Sequence, residues 1–348
     1  MDSSPMVTKE TKNKIRVDYE GKLSFKERLQ QKLKASNTWI KAGVNVIRFI
    51  LMLGISYVIL YPFFARIAGS FMTKEDVVDA TVSLIPKHFT LDIYKYIILE
   101  NHYLEALLNT LLLSLFCALA QMLISCLVGY GLAKFKFKGN KLIMLLVVVT
   151  MIIPHGTLQL SLYQHFTSFD ILTVQAWGYK GPFELIFGHA LKLGNTFWPL
   201  IILSLTGLAF KNGLYIYLMR QFFKGVPDEL EESAYVDGSG TLRTFFQIIL
   251  PLSIPMMITV FLFAFSWQWT DEFYTTLFFY GSTNKVYLMP DIYATIPPSL
   301  QTTYAGKTLY ENVIQNTAGM MIIMPLIIIY LFCQKYLVQG IERSGLVG

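Results

Sequence analysis

Residues 220–255 read RQFFKGVPDELEESAYVDGSGTLRTFFQIILPLSIP, a polar stretch set between long apolar runs. Pro227 suits the first turn of a helix, Asp228 and Glu229 favour its positive end, and Gly238 offers a left-handed stop. A first helix of about three turns is therefore expected from Asp228 to Asp237. Ser239 and Thr241 are candidate caps for a second helix, from about Leu242 to Leu250, which Pro251 is expected to end. Ser233 and Ala234 beside Glu231 and Glu232 leave a low profile with anionic side chains, a surface that can enter a cleft and pair with a basic residue there.

What flanks this loop sets the class. The 348 residues are 54% hydrophobic and only 15% charged, with a mean hydropathy of +0.47; this describes an integral membrane protein. Runs long enough to cross about 30 Å of hydrocarbon lie at roughly 44–68, 104–133, 142–165, 197–222, 252–270 and 317–338. An all-α protein of six transmembrane helices is expected, with Pro154 and Pro255 ending or kinking the third and fifth. Residues 1–43 form a basic tail, 44–103 the first span and an outer loop, 104–338 a five-span core carrying the 224–251 loop, and 339–348 a second tail.

Lysine and arginine set the orientation. Segments 1–48, 134–141, 220–251 and 335–348 hold twenty of them, and the alternate segments 69–103, 166–196 and 271–316 hold seven. Both termini and the 220–251 loop are thus expected in the cytoplasm. The first 43 residues carry no short apolar core with a cleavage site, so the first span is expected to act as an uncleaved anchor. Phe25, Leu29 and Leu33, spaced by four among Lys26, Arg28, Lys32 and Lys34, make a basic amphipathic pattern that fits either an anionic leaflet or a solvated arm.

Catalytic and metal chemistry find little support. Cys117, Cys126 and Cys333 all fall within apolar runs, and His88, His102, His155, His165 and His189 include no pair spaced for one helical face. Gly306, Lys307 and Thr308 resemble the end of a phosphate-binding loop, but the glycine needed five residues earlier is Gln301. No ATPase, metal site or bound cofactor is expected in this chain, and no nucleic-acid partner.

The loop also carries a longer signature. Glu232-Ser233-Ala234, then Gly238, Ile248 and Leu250-Pro251, keep the spacing Glu-Ala-Ala, three residues, Gly, nine residues, Ile, one residue, Leu-Pro. This resembles the permease subunits of bacterial ABC importers, with one small residue, serine, in place of another. Asn109-Thr110, GYGLAKFKFKG at 129–139, MIIP at 151–154 and LMRQFF before the loop resemble the second permease of carbohydrate importers of the maltose type. Residues 169–189 look like an insertion relative to that family, and the tail GIERSGLVG lacks its usual penultimate lysine.

The resemblance implies a type I importer permease fold in the bacterial cell membrane. It implies a second, homologous permease, two ATPase subunits that hold ATP and magnesium, and an extracytoplasmic sugar-binding protein. Asp228 to Asp237 would be the coupling helix, moved by closure of the ATPases. Glu232 would pair with an ATPase arginine, Ser233 and Ala234 would permit close approach, Gly238 would make the turn, and Glu231 and Asp237 would complete the coupling surface.

Pathway candidates come from the spans. Lys211 and Asn212 fall near the middle of the fourth run, where an ionisable group faces a bundle interior or cavity because lipid exposure costs about 3 kcal/mol or more. They are read as pathway or gate residues, or as contacts with the partner permease; Lys211 fits an acidic sugar or a partner carboxylate. Asn109, Gln121 and Tyr215 can bond a sugar, although joining helices is their favoured role. Trp267, Trp269, Asp271, Glu272 and Phe273 combine aromatic faces with carboxylates. Trp269 is assigned to an interfacial belt, and Trp267 and Asp271 stay as pathway candidates. A transporter driven by an ion gradient would call for internal repeats and acidic residues within spans. A noncatalytic scaffold would explain a docking helix but not broken spans.

Overall fold

The computed structural model describes residues 7–10, 16–19, 36–170, 181–279, 285–303 and 306–345, with side chains between 43 and 338. The amphipathic pattern at Phe25, Leu29 and Leu33 lies outside the described residues, as do the middle of the expected insertion and the last three residues. The chain divides into two compact units, 1–65 and 66–348. In the first, β1 (Val7–Glu10) pairs antiparallel with β2 (Arg16–Tyr19). Most of α1 (Ser36–Gly69) follows. Its apolar side chains from Val44 to Phe64 are exposed, and such a helix needs hydrocarbon or another chain around it.

The second unit is a helical bundle. Its elements are α2 (Lys74–Val78), α3 (Asp92–Glu100), α4 (Tyr103–Lys134), α5 (Asn140–Ile152), α6 (Gln159–Thr167), α7 (Pro182–Phe187), α8 (Trp198–Leu205) and α9 (Asn212–Lys224). After these come α10 (Glu229–Val236), α11 (Thr241–Thr244), α12 (Leu250–Trp269), α13 (Phe273–Phe278), α14 (Met289–Ala294) and α15 (Lys307–Gly345). The core lies where α4 packs on α9 and α12, and α12 on α15. There Cys126, Tyr130, Tyr215, Met219, Phe223, Met256 and Val260 are buried together. Close approach depends on absent side chains, as at many membrane helix interfaces. A Cβ on Gly129 would sit 2.7 Å from the Met219 Cβ, and one on Gly213 would sit 2.5 Å from Thr150 Oγ1.

Among the described residues four helices are long and apolar enough to cross a membrane: Gly43–Gly69, Tyr103–Lys134, Thr241–Trp269 and Lys307–Val338. A fifth span results if Asn140–Ile152 and His155–Thr167, bent by 95°, count as one. The expected third span is thus broken at Pro154, which has no N–H to donate and forces Ile153 out of the helical region, to ψ 119°. The expected fourth span, 197–222, is two helices, α8 and α9. Between them Gly207 and Lys211 adopt left-handed backbone, with φ of 75° and 65°.

The fifth span departs from expectation in the opposite direction. Pro251 does not end a helix: α11 passes through a π-turn at Phe245–Ile249 straight into α12, which continues past Pro255. The π-turn shifts the hydrogen-bond register immediately ahead of Pro251, so the missing N–H of Pro251 falls at the junction of two helical stretches rather than within a regular one.

At the end of the bundle away from the 224–251 loop, short elements are tied by polar contacts. Buried Asp76 accepts from His88 N at 2.7 Å and faces His88 Nδ1 at 2.9 Å. The His88 amide, above all, holds the Asp76 carboxyl below its usual range. Asn101 Nδ2 donates to Thr295 O at 2.7 Å, and Glu100 accepts from the Ser299 amide at 3.0 Å. At the base of the expected insertion Phe169 bridges Leu191. Asp170 accepts from the Phe183 and Glu184 amides at 2.9 and 2.8 Å, capping α7.

Candidate functional site

The polar loop leaves α9 at Gly225 and is clasped at once. Lys134, at the end of α4 and only 6% exposed, donates to Val226 O at 2.6 Å and pairs with Asp228 Oδ1 at 2.5 Å. Arg220 Nε donates to Leu132 O at 3.3 Å. The ammonium lowers the Asp228 carboxyl below its ordinary value. Helix α10 then runs for two turns rather than three. Its end has both bonds of a Schellman stop: Ser239 N donates to Ala234 O at 2.9 Å and Gly238 N to Tyr235 O at 3.0 Å, with Gly238 at φ 81°. Gly240, not Ser239 or Thr241, precedes α11, and no side chain caps it.

The six coupling candidates do not share one face. Glu232, Ser233, Asp237 and Gly238 are exposed, whereas Glu231 and Ala234 turn inward. Ser233 Oγ is already engaged with Glu229 O at 2.8 Å. Glu231 is not one of a pair of outward anions: burial raises its pKa, opposed by Lys134 and Tyr130 nearby. The exposed ridge instead includes Val236 and Leu242, 87% and 74% exposed. Sequence reading passed over both, although two large apolar residues flanking a polar Asp-Gly-Ser-Gly turn are a recognisable signal of contact. It also passed over Lys134 as the clasp.

The pathway candidates scatter. Asn109 Nδ2 donates to Tyr287 O at 3.1 Å, and buried Gln121 Nε2 to Ser204 Oγ at 3.3 Å, so each links two parts of the bundle. Tyr215 and Asn212 are fully buried, with Tyr215 Oη and both Asn212 amide atoms unpartnered among the described residues. Asp271 Oδ1 accepts from Tyr274 N at 3.3 Å, capping α13. Trp269 does not belong to an interfacial belt. It is 0% exposed, and its Nε1 donates to Ile322 O at 2.9 Å, fixing α12 to α15.

Lys211 and Trp267 do come together, in company that sequence reading did not supply. The breaks at Pro154 and at Thr206–Lys211 meet around a pocket of about 270 Å³ lined by Ile153, His155, Gly207, Phe210, Lys211 and Tyr274, among others. His155 Nδ1 lies 2.7 Å from Tyr274 Oη. The Lys211 ammonium lies 4.7 Å from the Phe210 ring centre and 5.0 Å from that of Trp267, which is itself 48% exposed. Cation–π contacts contribute about 0.5–2 kcal/mol. Two such contacts together are comparable with the roughly 3 kcal/mol an ammonium loses inside a membrane, but they leave its full charge unpaired. No carboxylate pairs with it among the described residues.

Residues 121–343 match the family described as binding-protein-dependent transport system inner membrane component. The chain is 30% identical over 302 residues to a probable starch degradation products transport system permease protein of Thermoanaerobacterium thermosulfurigenes, covering 86% of this chain and 96% of that one. It is 28% identical over 305 residues to a polygalacturonan/rhamnogalacturonan transport system permease protein of Bacillus subtilis, with the same coverage. Its fold is similar to a chain in the crystal structure of a bacterial ABC transporter involved in the import of the acidic polysaccharide alginate. There the TM-score is 0.64 at 20% identity, over 91% of this chain and 99% of that chain. The Lys134 clasp, the Gly238 stop and the two broken spans all lie within the matched residues, and the chain belongs to the binding-protein-dependent transport system inner membrane component family, the membrane permeases of ABC transporters.

Proposed function

We propose that this chain is the second permease of a carbohydrate importer, forming half of a translocation pathway with a homologous permease above two ATPase subunits. The names of the relatives support a saccharide cargo, since two of them are named as transport system permeases for starch degradation products and for polygalacturonan/rhamnogalacturonan. The observation that carries the coupling role is α10: a short helix clasped by Lys134, stopped by Gly238, and presenting Glu232 and Val236 outward. In this reading α10 is the coupling helix, both termini are cytoplasmic, and a sugar-binding protein docks at the opposite end. Six crossings follow if α5 with α6 and α8 with α9 each make one broken span, which is tolerated where the irregular backbone faces protein or a cavity.

ATP-driven closure of the ATPases would draw α10 inward with the helices fastened to it. ATP and magnesium belong to those partners, and this chain supplies the docking surface and the path. The test is co-purification with the cognate ATPase in nanodiscs, comparing the natural chain with Glu232→Arg and Gly238→Asp. Retention by the natural chain and loss from both variants, each still inserting normally, is the expected result. Failure of any ATPase to associate with the natural chain when the companion permease is present would overturn it.

A further inference from the structure

We infer that the pocket between the two broken spans is a carboxylate-recognition point that selects saccharides containing uronic acids, with Lys211 as the ion-pairing group; this rests on the importer reading above. Charge is the first ground. Lys211 is the single formal cation lining the pocket, and no carboxylate or side-chain amide is among its lining residues. Neutral sugars are usually gripped by acceptors that take hydroxyl protons, and Asp, Glu, Asn and Gln supply them. Here the lining offers an ammonium, a His155–Tyr274 pair, the Thr150 hydroxyl and apolar walls. An anionic group pairs with the one full charge in that set, which an uncharged ring would leave unpaired.

Geometry is the second ground. Lys211 stands in left-handed backbone at φ 65°, an arrangement uncommon for a residue with a Cβ and found where surroundings over-determine it. The effect is to carry the side chain off the end of α9, with the ammonium over the Phe210 and Trp267 rings. Those rings, 5.3 Å apart and tilted at 62°, fix the ammonium without neutralising it. They also present faces on which the C–H side of a sugar ring can rest. A pocket of about 270 Å³ has room on the order of one such ring, so the recognised unit is one acidic residue of a passing chain.

The competing source of a carboxylate is a side chain of the companion permease, and the experiment separates the two. The complete transporter, with companion permease, ATPases and binding protein, is reconstituted in proteoliposomes. Uptake of labelled trigalacturonate is compared with that of the same trisaccharide reduced at its carboxyls, in the natural protein, Lys211→Gln and Lys211→Arg. The expected result is an acidic-to-neutral uptake ratio that falls about tenfold or more in Lys211→Gln, as for loss of one charged contact, and recovers in Lys211→Arg. An equal fall for both sugars, an unchanged ratio, or no trigalacturonate uptake by the natural protein overturns the inference. So does loss of the companion permease from Lys211→Gln, which would assign the lysine to a pair between subunits. ATPase association is measured on the same preparations, so failure of the importer reading is seen separately.

Discussion

At Gly129 one hydrogen in place of a methyl decides whether two helices can touch. An added Cβ would fall 2.7 Å from the Met219 Cβ and 3.0 Å from the Arg220 amide, whereas two residues on, at Gly131, it would meet nothing within 4 Å. Gly129→Ala is therefore expected to destabilise the protein by about 1–3 kcal/mol through overpacking. Gly131→Ala is expected to be neutral or stabilising by up to about 1 kcal/mol, from helix propensity. Thermal unfolding of the two variants in one detergent checks this, and equal stabilities would refute the close contact. Asp76 makes a second prediction. Its pKa is lowered from 3.8, so its bonds to His88 contribute stability above that pH, and the contribution is lost as pH falls through the lower folded value. Amide protection factors across 72–91, corrected for intrinsic rate, should fall below about pH 4 in the natural chain and already be low at neutral pH in Asp76→Asn. At this scale the sequence was partly legible. A lysine deep in an apolar run announces itself, but nothing local tells that Trp267 rather than Trp269 lies beside it. The two differ by two positions on a helix, about 200° around its axis, and only the packing of α12 decides which faces Phe210.

Among the elements, apolar run length located the helices and could not locate every break. Pro154 is an obvious punctuation, and the 95° bend follows it. Pro251 and Pro255 carry the same mark, yet the helix runs on through both. What differs at Pro251 is the register, since a π-turn runs up to it; at Pro255 the helix continues although the Pro251 carbonyl loses its usual amide donor. The break between α8 and α9 has no proline at all and depends on Gly207 and Lys211 in left-handed backbone. The loop, by contrast, was legible nearly residue by residue, because caps and stops are local chemistry. Gly238→Ala should cost about 1 kcal/mol, the price of placing a Cβ in left-handed backbone. It should speed amide exchange over 229–239 while leaving that of α4 unchanged. Lys134→Met should speed exchange in the same loop and also free Val226 and Asp228, since it removes both bonds of the clasp.

For the molecule as a whole, composition fixed the environment and could not fix the partners. From Val44 to Phe64, α1 exposes its large apolar side chains, interrupted only by Asn45, Arg48 and Ser56 among non-aromatic polar residues, and large exposed apolar surfaces signal lipid or another subunit. Expressed alone, the chain is expected to elute from size-exclusion columns mostly as aggregate in mild detergent. Co-expressed with its companion permease, it should elute mainly as a single species; equal behaviour would argue against a subunit on this surface. One consequence concerns stiffness. From Thr241 to Trp269 the chain is a single helical strut of 29 residues, about 43 Å at 1.5 Å per residue. It begins at the turn that closes the polar loop, and near its far tip it carries the indole that holds Lys211. The exit of the loop and the indole beside Lys211 thus belong to one continuous helix, with the π-turn at Phe245–Ile249 and two prolines near its foot, so a displacement of that foot is expected to reach Trp267 only as far as those bends transmit it.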